Sequence, residues 1–320
     1  MALVEPYMVK TAYGKGADSA VELQADTGEA FMVKDIVIQG SNDTYVLLEI
    51  EKTTVGFFRV DGGALGSHLP PNRAAAGADY RRVGFKGLSS ITLISYMIEK
   101  GWMRGYPVAE GQTFRVKPFT SGKKLNNVII VYEKYDAGDI KKDMPNGSEA
   151  SEYIFINYGQ PSSALTSSGD YEINTVKTSA EFPDFPIGDA VPSKHEIDIL
   201  AVLGTETLNY VDADNYTYTK YLKFFKGRKV LFDDDRNGLP FYLPVFSGVS
   251  AGTHYGRGFS VVGNCSAYDR REPFIPPKPL TFKAGDELKV YITAGQGTGT
   301  GSIDVGYAEI AFIERVKILE

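Results

Sequence analysis

Cysteine is almost absent from this chain of 320 residues: Cys265 is the only one. One cysteine closes no disulfide within the chain and builds no cysteine-based zinc site. Histidine is nearly as scarce. His68, His195 and His254 lie far apart, and no HExxH pattern or closely spaced pair occurs, which removes the familiar zinc-hydrolase arrangements. Long apolar runs are missing as well. The longest are short, such as VIIVY at 128–132, and none has the length that a membrane-spanning helix needs. The opening MALVEPYMVK has no basic region followed by an apolar run, so no signal peptide is expected. Positive charge is not in excess. Lys and Arg number 34 against 40 Asp and Glu, a formal net charge of -6, which argues against a chain whose main task is to coat nucleic acid.

What is present is strand and turn material. The chain holds 34 Gly, 16 Pro, 20 Tyr and 18 Phe, a composition suited to many short strands and tight turns. Strand patterns recur at 19–25, 31–40, 44–60 (room for two), 113–119 and 127–135. They resume at 152–158, 170–176, 195–204, 216–225, 229–232, 239–246, 286–294 and 303–316. The best helix candidate is GLSSITLISYMIEKGW at 87–102, weakened by its Ser, Thr and Ile content. Strands do not alternate with helices, so a parallel doubly wound sheet is not expected. Two long stretches, 61–87 and 247–279, are rich in Gly and Pro with scattered aromatics. Loops of that length inside a folded chain usually carry function or meet a partner.

The two halves resemble each other. EGQTFRV at 110–116 aligns with AGDELKV at 284–290, each placing Gly before a strand that ends in a base and Val. Downstream, VIIVYEK at 128–134 aligns with EIAFIER at 309–315; upstream, KDIVIQG at 34–40 aligns with DILAVLG at 198–204. Matched segments in the same order point to an internal duplication. A polar linker at 135–151 carries the turn signal Pro145-Asn146-Gly147. The expected division is 1–140 and 141–320, each with enough strands for one sandwich of two sheets.

That order, with Gly111, Val116, Gly285 and Val290 marking the paired stretches, resembles the double jelly-roll major capsid proteins of adenovirus-like viruses, tailless phages with an internal membrane and turreted archaeal viruses. The likeness covers nearly the whole chain. It is architectural, because the family has no short diagnostic motif. It implies an all-β fold of two tandem jelly-roll sandwiches with few short helices. It also implies a non-enzymatic protein without cofactors, located in the virion and assembled in the host cytoplasm. The implied partners are two further copies in a pseudo-hexameric homotrimer, other capsid proteins such as a vertex protein, and an internal lipid membrane. Sequence-specific nucleic-acid binding is not implied.

The chemistry candidates are few. In LFDDDRNGLP at 231–240, Asp233, Asp235, Asn237 and Gly238 match the first half of a calcium loop. Counted from Asp233, position 12 is Pro244, so the bidentate acid is missing, and the flanks read as strands. A turn between strands is the expectation. A calcium site completed by Asp212 or Asp214 is the alternative. No GxSxG occurs, so a triad lacks its elbow. Glu196 and Asp198 fall on one face of a strand and are expected to be solvated. Cys265 reads as a structural loop residue. GQGTGTGS at 295–302 lacks the Lys and the following helix of a phosphate loop. Sequons stand at Asn42, Asn146, Asn215 and Asn264. The aromatic stretches THYGRGF and NYTYTKY leave a second function class open, a two-domain β-sandwich that binds carbohydrate or mediates adhesion.

Overall fold

A computed structural model describes residues 3–40, 44–60, 92–142, 152–175, 189–203, 217–232, 237–240, 243–244, 258–259, 274–296 and 310–319, with Ser302 and Val305. Among the described residues two compact units divide the chain, with the boundary between Ile156 and Asn157, inside the strand Glu152–Pro161 that opens the second sandwich. The division expected after residue 140 lies upstream of that point, between two strands.

The first unit contains β1 (Leu3–Tyr13), β2 (Val21–Gln24), β3 (Glu29–Gly40), β4 (Thr44–Ile50), β5 (Thr53–Val60), helix α1 (Leu93–Glu99), β6 (Tyr106–Val108), β7 (Thr113–Pro118) and β8 (Leu125–Asp136). They form two four-stranded antiparallel sheets ordered β1-β8-β3-β6 and β2-β7-β4-β5. Eight antiparallel strands in two facing sheets make a β-sandwich. Period-2 alternation builds the core. Phe114, Val116 and Pro118 of β7 point inward while Thr113, Arg115 and Lys117 point out. The sheets meet face to face, with the Tyr106 ring of β6 packed 5.9 Å from the Phe114 ring of β7.

The second unit contains β9 (Glu152–Pro161), β10 (Gly169–Thr175), β11 (His195–Leu203), β12 (Thr217–Lys226), β13 (Lys229–Val230), β14 (Leu239–Pro240), β15 (Leu243–Pro244), β16 (Gly258–Phe259), β17 (Leu280–Lys283), β18 (Leu288–Gln296) and β19 (Ile310–Ile318). Its main sheet runs β13-β12-β18-β10-β9-β19-β11-β17, with β14 also on β12. This is two runs of four joined at a corner. Gly169–Glu172 of β10 pair with β18, and Ile173–Thr175 pair with β9. The runs β9-β19-β11-β17 and β10-β18-β12-β13 repeat the strand order of the first unit. Phe224 of β12 and Phe312 of β19 meet edge to face at 5.9 Å between the runs.

The repetition reaches individual hydrogen bonds. Gly111 N–H donates to Ala25 O at 2.8 Å while Ala25 N–H donates to Gln112 O at 3.0 Å. Gly285 N–H donates to Val191 O, and Val191 N–H to Asp286 O, both at 2.9 Å. In each turn the fourth side chain reaches back: Gln112 Oε1 accepts from Ala109 N–H, and Asp286 Oδ2 from Lys283 N–H, both at 2.9 Å. The bulges correspond once the upstream sequence match is moved by two residues, so that Lys34 answers Leu200 and not Asp198. β3 shifts register against β8 between Val33 and Asp35, and β11 shifts against β19 between Ile199 and Ala201. Gly111 and Gly285 therefore precede equivalent strands, as their aligned sequences imply.

The structure departs from the sequence reading at several elements. β1, β6 and β17 carry no strand pattern that the sequence exposes. The helix is only Leu93–Glu99, opened by Thr92, whose Oγ1 accepts from Ser95 N–H. Asp198 is not solvated. It is 4% exposed, held by Lys317 at 2.8 Å and by the Thr281 hydroxyl at 2.6 Å. Glu196 shares its face and its Lys317 partner, at 3.0 Å. The face was read correctly; its cover was not, because burial of a strand's outer face depends on what packs over it.

The matched turns yield an expectation. Gly111 has φ +77° and Gly285 φ +84°, and a Cβ at either would meet nothing within 4 Å. Gly111→Ala and Gly285→Ala should each cost about 1–2 kcal/mol from the left-handed backbone alone. At Gly238 a Cβ would stand 2.4 Å from Leu222 O, so Gly238→Ala should cost more than either. Urea unfolding followed by tryptophan and tyrosine fluorescence measures all three. Markedly unequal costs at Gly111 and Gly285 would contradict the equivalence.

Candidate functional site

The bulge in β3 is the most developed local device in the first unit. A bulge turns consecutive side chains out of the alternating pattern. Here it sets Lys34 and Asp35 beside α1. The Thr92 hydroxyl donates to Asp35 Oδ1, and the same oxygen accepts from Ile36 N–H at 2.8 Å. Thr92 is thus fixed from both sides, as donor to Asp35 and as acceptor at the helix N-cap. Past the other end of the helix, Lys34 Nζ donates to Arg104 O at 2.8 Å. Two neighbouring residues of one strand tie the helix N-cap and the segment that follows the helix to the sheet.

Beside this clamp lies an open groove of about 550 Å³ lined by Met32, Lys34, Ile98, Met103, Glu133 and Tyr135, among others. Lys34 and Glu133 are 3.7 Å apart. Tyr135 donates to Glu133 Oε2 at 2.6 Å. Burial first, and the adjoining Glu133 carboxylate second, push the Tyr135 phenol up to about 12. A phenol held so firmly protonated is a poor base at neutral pH, and Lys34 is engaged by a carbonyl and a carboxylate. The groove is built for packing rather than for proton transfer.

In the second unit the outward face of β10, β18 and β12 carries a different set. Asp170 accepts from Lys223 at 2.7 Å and from the Thr293 hydroxyl at 2.6 Å. Alongside, Phe225 and Tyr291 meet edge to face at 5.6 Å, and Lys220 lies 5.4 Å from the Tyr221 ring. Burial, then the neighbouring Glu172, raise the Tyr291 phenol above its ordinary range. Aromatic rings next to a fixed acid, amine and hydroxyl form a surface able to stack on and hydrogen-bond a polyhydroxylated ligand.

The calcium candidates are divided. Asp233 and Asp235 lie outside the described residues, as do Asp212 and Asp214. Asn237 is described and stands before Gly238 (φ +99°). The described flanks share one strand edge. Val230 lies opposite Phe225 and Leu239 opposite Leu222, both on β12. The chain leaves the edge of β12 and rejoins the same edge. In the first unit the matching place is a bulge of β5, where Thr54 lies opposite Glu49 and Gly56 opposite Leu48. Among the described residues no group of three or more His, Cys, Asp or Glu stands close enough to hold a metal ion.

Cys265, His68, His254 and the four sequons lie outside the described residues, as does 61–87. Of 247–279, only 258–259 and 274–279 are described. Among the described residues no helix is long and apolar enough to cross a membrane. Sequence reasoning missed Lys34 and Asp35. The available signal was a polar pair interrupting the apolar run FMV-KD-IVI at 31–38. The sequence matches no known family model and no curated protein.

The helix clamp can be tested directly. Thr92→Ala should cost about 1–2 kcal/mol, and Asp35→Ala a similar amount, with faster amide exchange across Leu93–Glu99. Thr92→Ser should restore most of the loss. Exchange at 93–99 unchanged in both alanine variants would show that the clamp does not hold the helix.

Proposed function

We propose that this chain is a viral major capsid protein, a double jelly roll that forms the trimeric block of an icosahedral shell. The observation that supports this most is the duplicated winding, with the same strand order, bulge and closing turn in both units. Duplication within one chain has a geometric use. Three copies in a closed cyclic arrangement present six similar sandwiches in a near-hexagonal ring, a shape that tiles a surface. The chemistry is in keeping with a structural role. The ionic clusters of the described residues, such as Glu196, Asp198, Lys317 and Thr281, are closed networks. The hydrogen bond to Asp198, first among several causes, raises the Lys317 amine further above its ordinary value. In this reading the protein has no catalytic site and needs no cofactor. Its partners are its own copies, other shell components such as a vertex protein, and an internal membrane where the virus has one.

A second reading is favoured by the aromatic and polar face of β10, β18 and β12. There Tyr221, Phe225 and Tyr291 lie beside Asp170 and Lys223, as in a carbohydrate-binding or adhesion protein.

Light scattering and negative-stain microscopy separate the two. The capsid reading predicts a trimer at micromolar concentration, an interface above ~2,000 Å², and shell-like or sheet-like particles as salt and pH are varied. A chain that stays monomeric, forms no particles and binds glycans on an array in a manner lost in Tyr291→Ala would reverse the ranking.

A further inference from the structure

The groove beside the helix clamp has an apolar floor and a charged rim. Met32 and Met103 are each 4% exposed, and Ile98 of α1 is half-buried. Met32 also belongs to the small apolar cluster on which Tyr135 packs, so the floor is continuous with packed protein. At the start of β1, a strand exposed along both faces, Leu3 lines the same groove and is 48% exposed. Methionine is unbranched and adaptable, and it suits surfaces that take flexible apolar ligands. The volume, about 550 Å³, falls within the roughly 300–1,000 Å³ of small-molecule sites.

The rim carries two cations, Lys34 and Arg104, and one anion, Glu133. Glu133 is answered from within the groove: Tyr135 donates to its Oε2 at 2.6 Å, and Lys34 stands 3.7 Å from its Oε1. Arg104 is not answered. Its guanidinium has no ion pair and no hydrogen bond among the described residues. Its backbone, by contrast, is held. Lys34 Nζ donates to Arg104 O at 2.8 Å. The next residue, Gly105, lies so close to β3 that a Cβ there would stand 2.5 Å from Val33 O. An uncommitted guanidinium on a fixed backbone, beside an apolar floor, is matched to a ligand with an apolar body and an anionic end.

We propose that this groove binds an alkyl carboxylate, with the chain along Leu3, Met32, Ile98 and Met103 and the head group on Arg104. The arginine fork meets a carboxylate with two parallel hydrogen bonds. Two cations against one anion leave a single positive charge on the rim, which suits a singly charged head better than a doubly charged phosphate. An alkyl amine of the same length would set a third cation beside Lys34 and Arg104. The Tyr135 phenol, pushed up to about 12 by burial and then by Glu133, stays neutral and does not repel the head. The site lies wholly within the first unit, and the inference does not rest on the capsid reading.

A reporter is already in place. Trp102, the only tryptophan of the chain, stands between Gly101 and Met103, both of which line the groove, and it meets Tyr96 edge to face at 5.8 Å. The full chain is titrated with decanoate, decylammonium and acetate, each kept below micelle formation. Trp102 fluorescence reads occupancy, calorimetry reads stoichiometry, and thermal melting reads folding. The expected result is one decanoate per chain with a Kd of ~100 µM or tighter and a shifted Trp102 emission. Decylammonium should bind at least about tenfold more weakly, and acetate not measurably. Arg104→Gln should weaken decanoate about tenfold and Arg104→Lys by less. Lys52→Gln, which removes a charge from the turn between β4 and β5, should bind as wild type does. No response to decanoate up to ~1 mM, several decanoates per chain, decylammonium binding as tightly as decanoate, or an Arg104→Gln variant that melts and binds as wild type does would each overturn the proposal. The comparison of decanoate with decylammonium uses the wild type, so it decides even where Arg104→Gln fails to fold.

Discussion

Each unit depends on a corner. A sandwich whose chain crosses between sheets must satisfy backbone groups at the crossings, where no ladder is available to pair them. Here two crossings satisfy each other. The turn entering β7 exchanges N–H and C=O with the residue that follows β2, through Gly111, Gln112 and Ala25. The turn entering β18 does the same through Gly285, Asp286 and Val191. The exchange demands a left-handed residue, and glycine supplies it at both corners. Once the corner is closed, the strands on either side are placed for both sheets, and the registers of β3 on β8 and β11 on β19 follow with their bulges in the same place.

The duplicated frame carries different chemistry in its two copies. At the bulge of β3 the residues are Lys34 and Asp35, and they clamp a helix. At the bulge of β11 the corresponding residues are Leu200 and Ala201, both buried and apolar. On the outward face of the first sheet, Ala30, Met32, Ala109 and Ile140 form a small apolar cluster with Tyr135. The matching positions Glu196 and Asp198, with Lys317, form an ionic network instead. Backbone geometry has been kept where it closes the fold, while outward faces have diverged. That pattern suits units that share a fold and differ in what they touch.

Strands with one buried face were legible in the sequence, because alternation is the signal that burial of one face leaves. β4 and β5 emerge from 44–60 as two strands, and the aligned Gly turns locate β7 and β18. β1 was not legible for the same physical reason in reverse: a strand exposed on both faces has no alternation to show. β6 and β17 are too short, at three and four residues. The helix was visible but overextended past its true end, which is a local stop: Gly101 takes the left-handed conformation (φ +71°) while its N–H returns to Ile98 O and that of Trp102 to Met97 O. That the residues on either side of DDDR, Val230 and Leu239, both pair with β12 is a tertiary fact. Assembly surfaces are the least legible of all, having no motif and consisting only of what the fold leaves uncovered.

The central claim is that one winding occurs twice, closed by the same corner. An electron cryomicroscopy map of the assembled protein fine enough to separate strands, which lie ~4.8 Å apart, tests it most directly. The account predicts β1-β8-β3-β6 and β9-β19-β11-β17 in the same order, with bulges at Val33–Asp35 and Ile199–Ala201 and with Gly111 and Gly285 in matching turns. A map in which either unit shows a different strand order, or in which Gly285 does not face Val191, would contradict it.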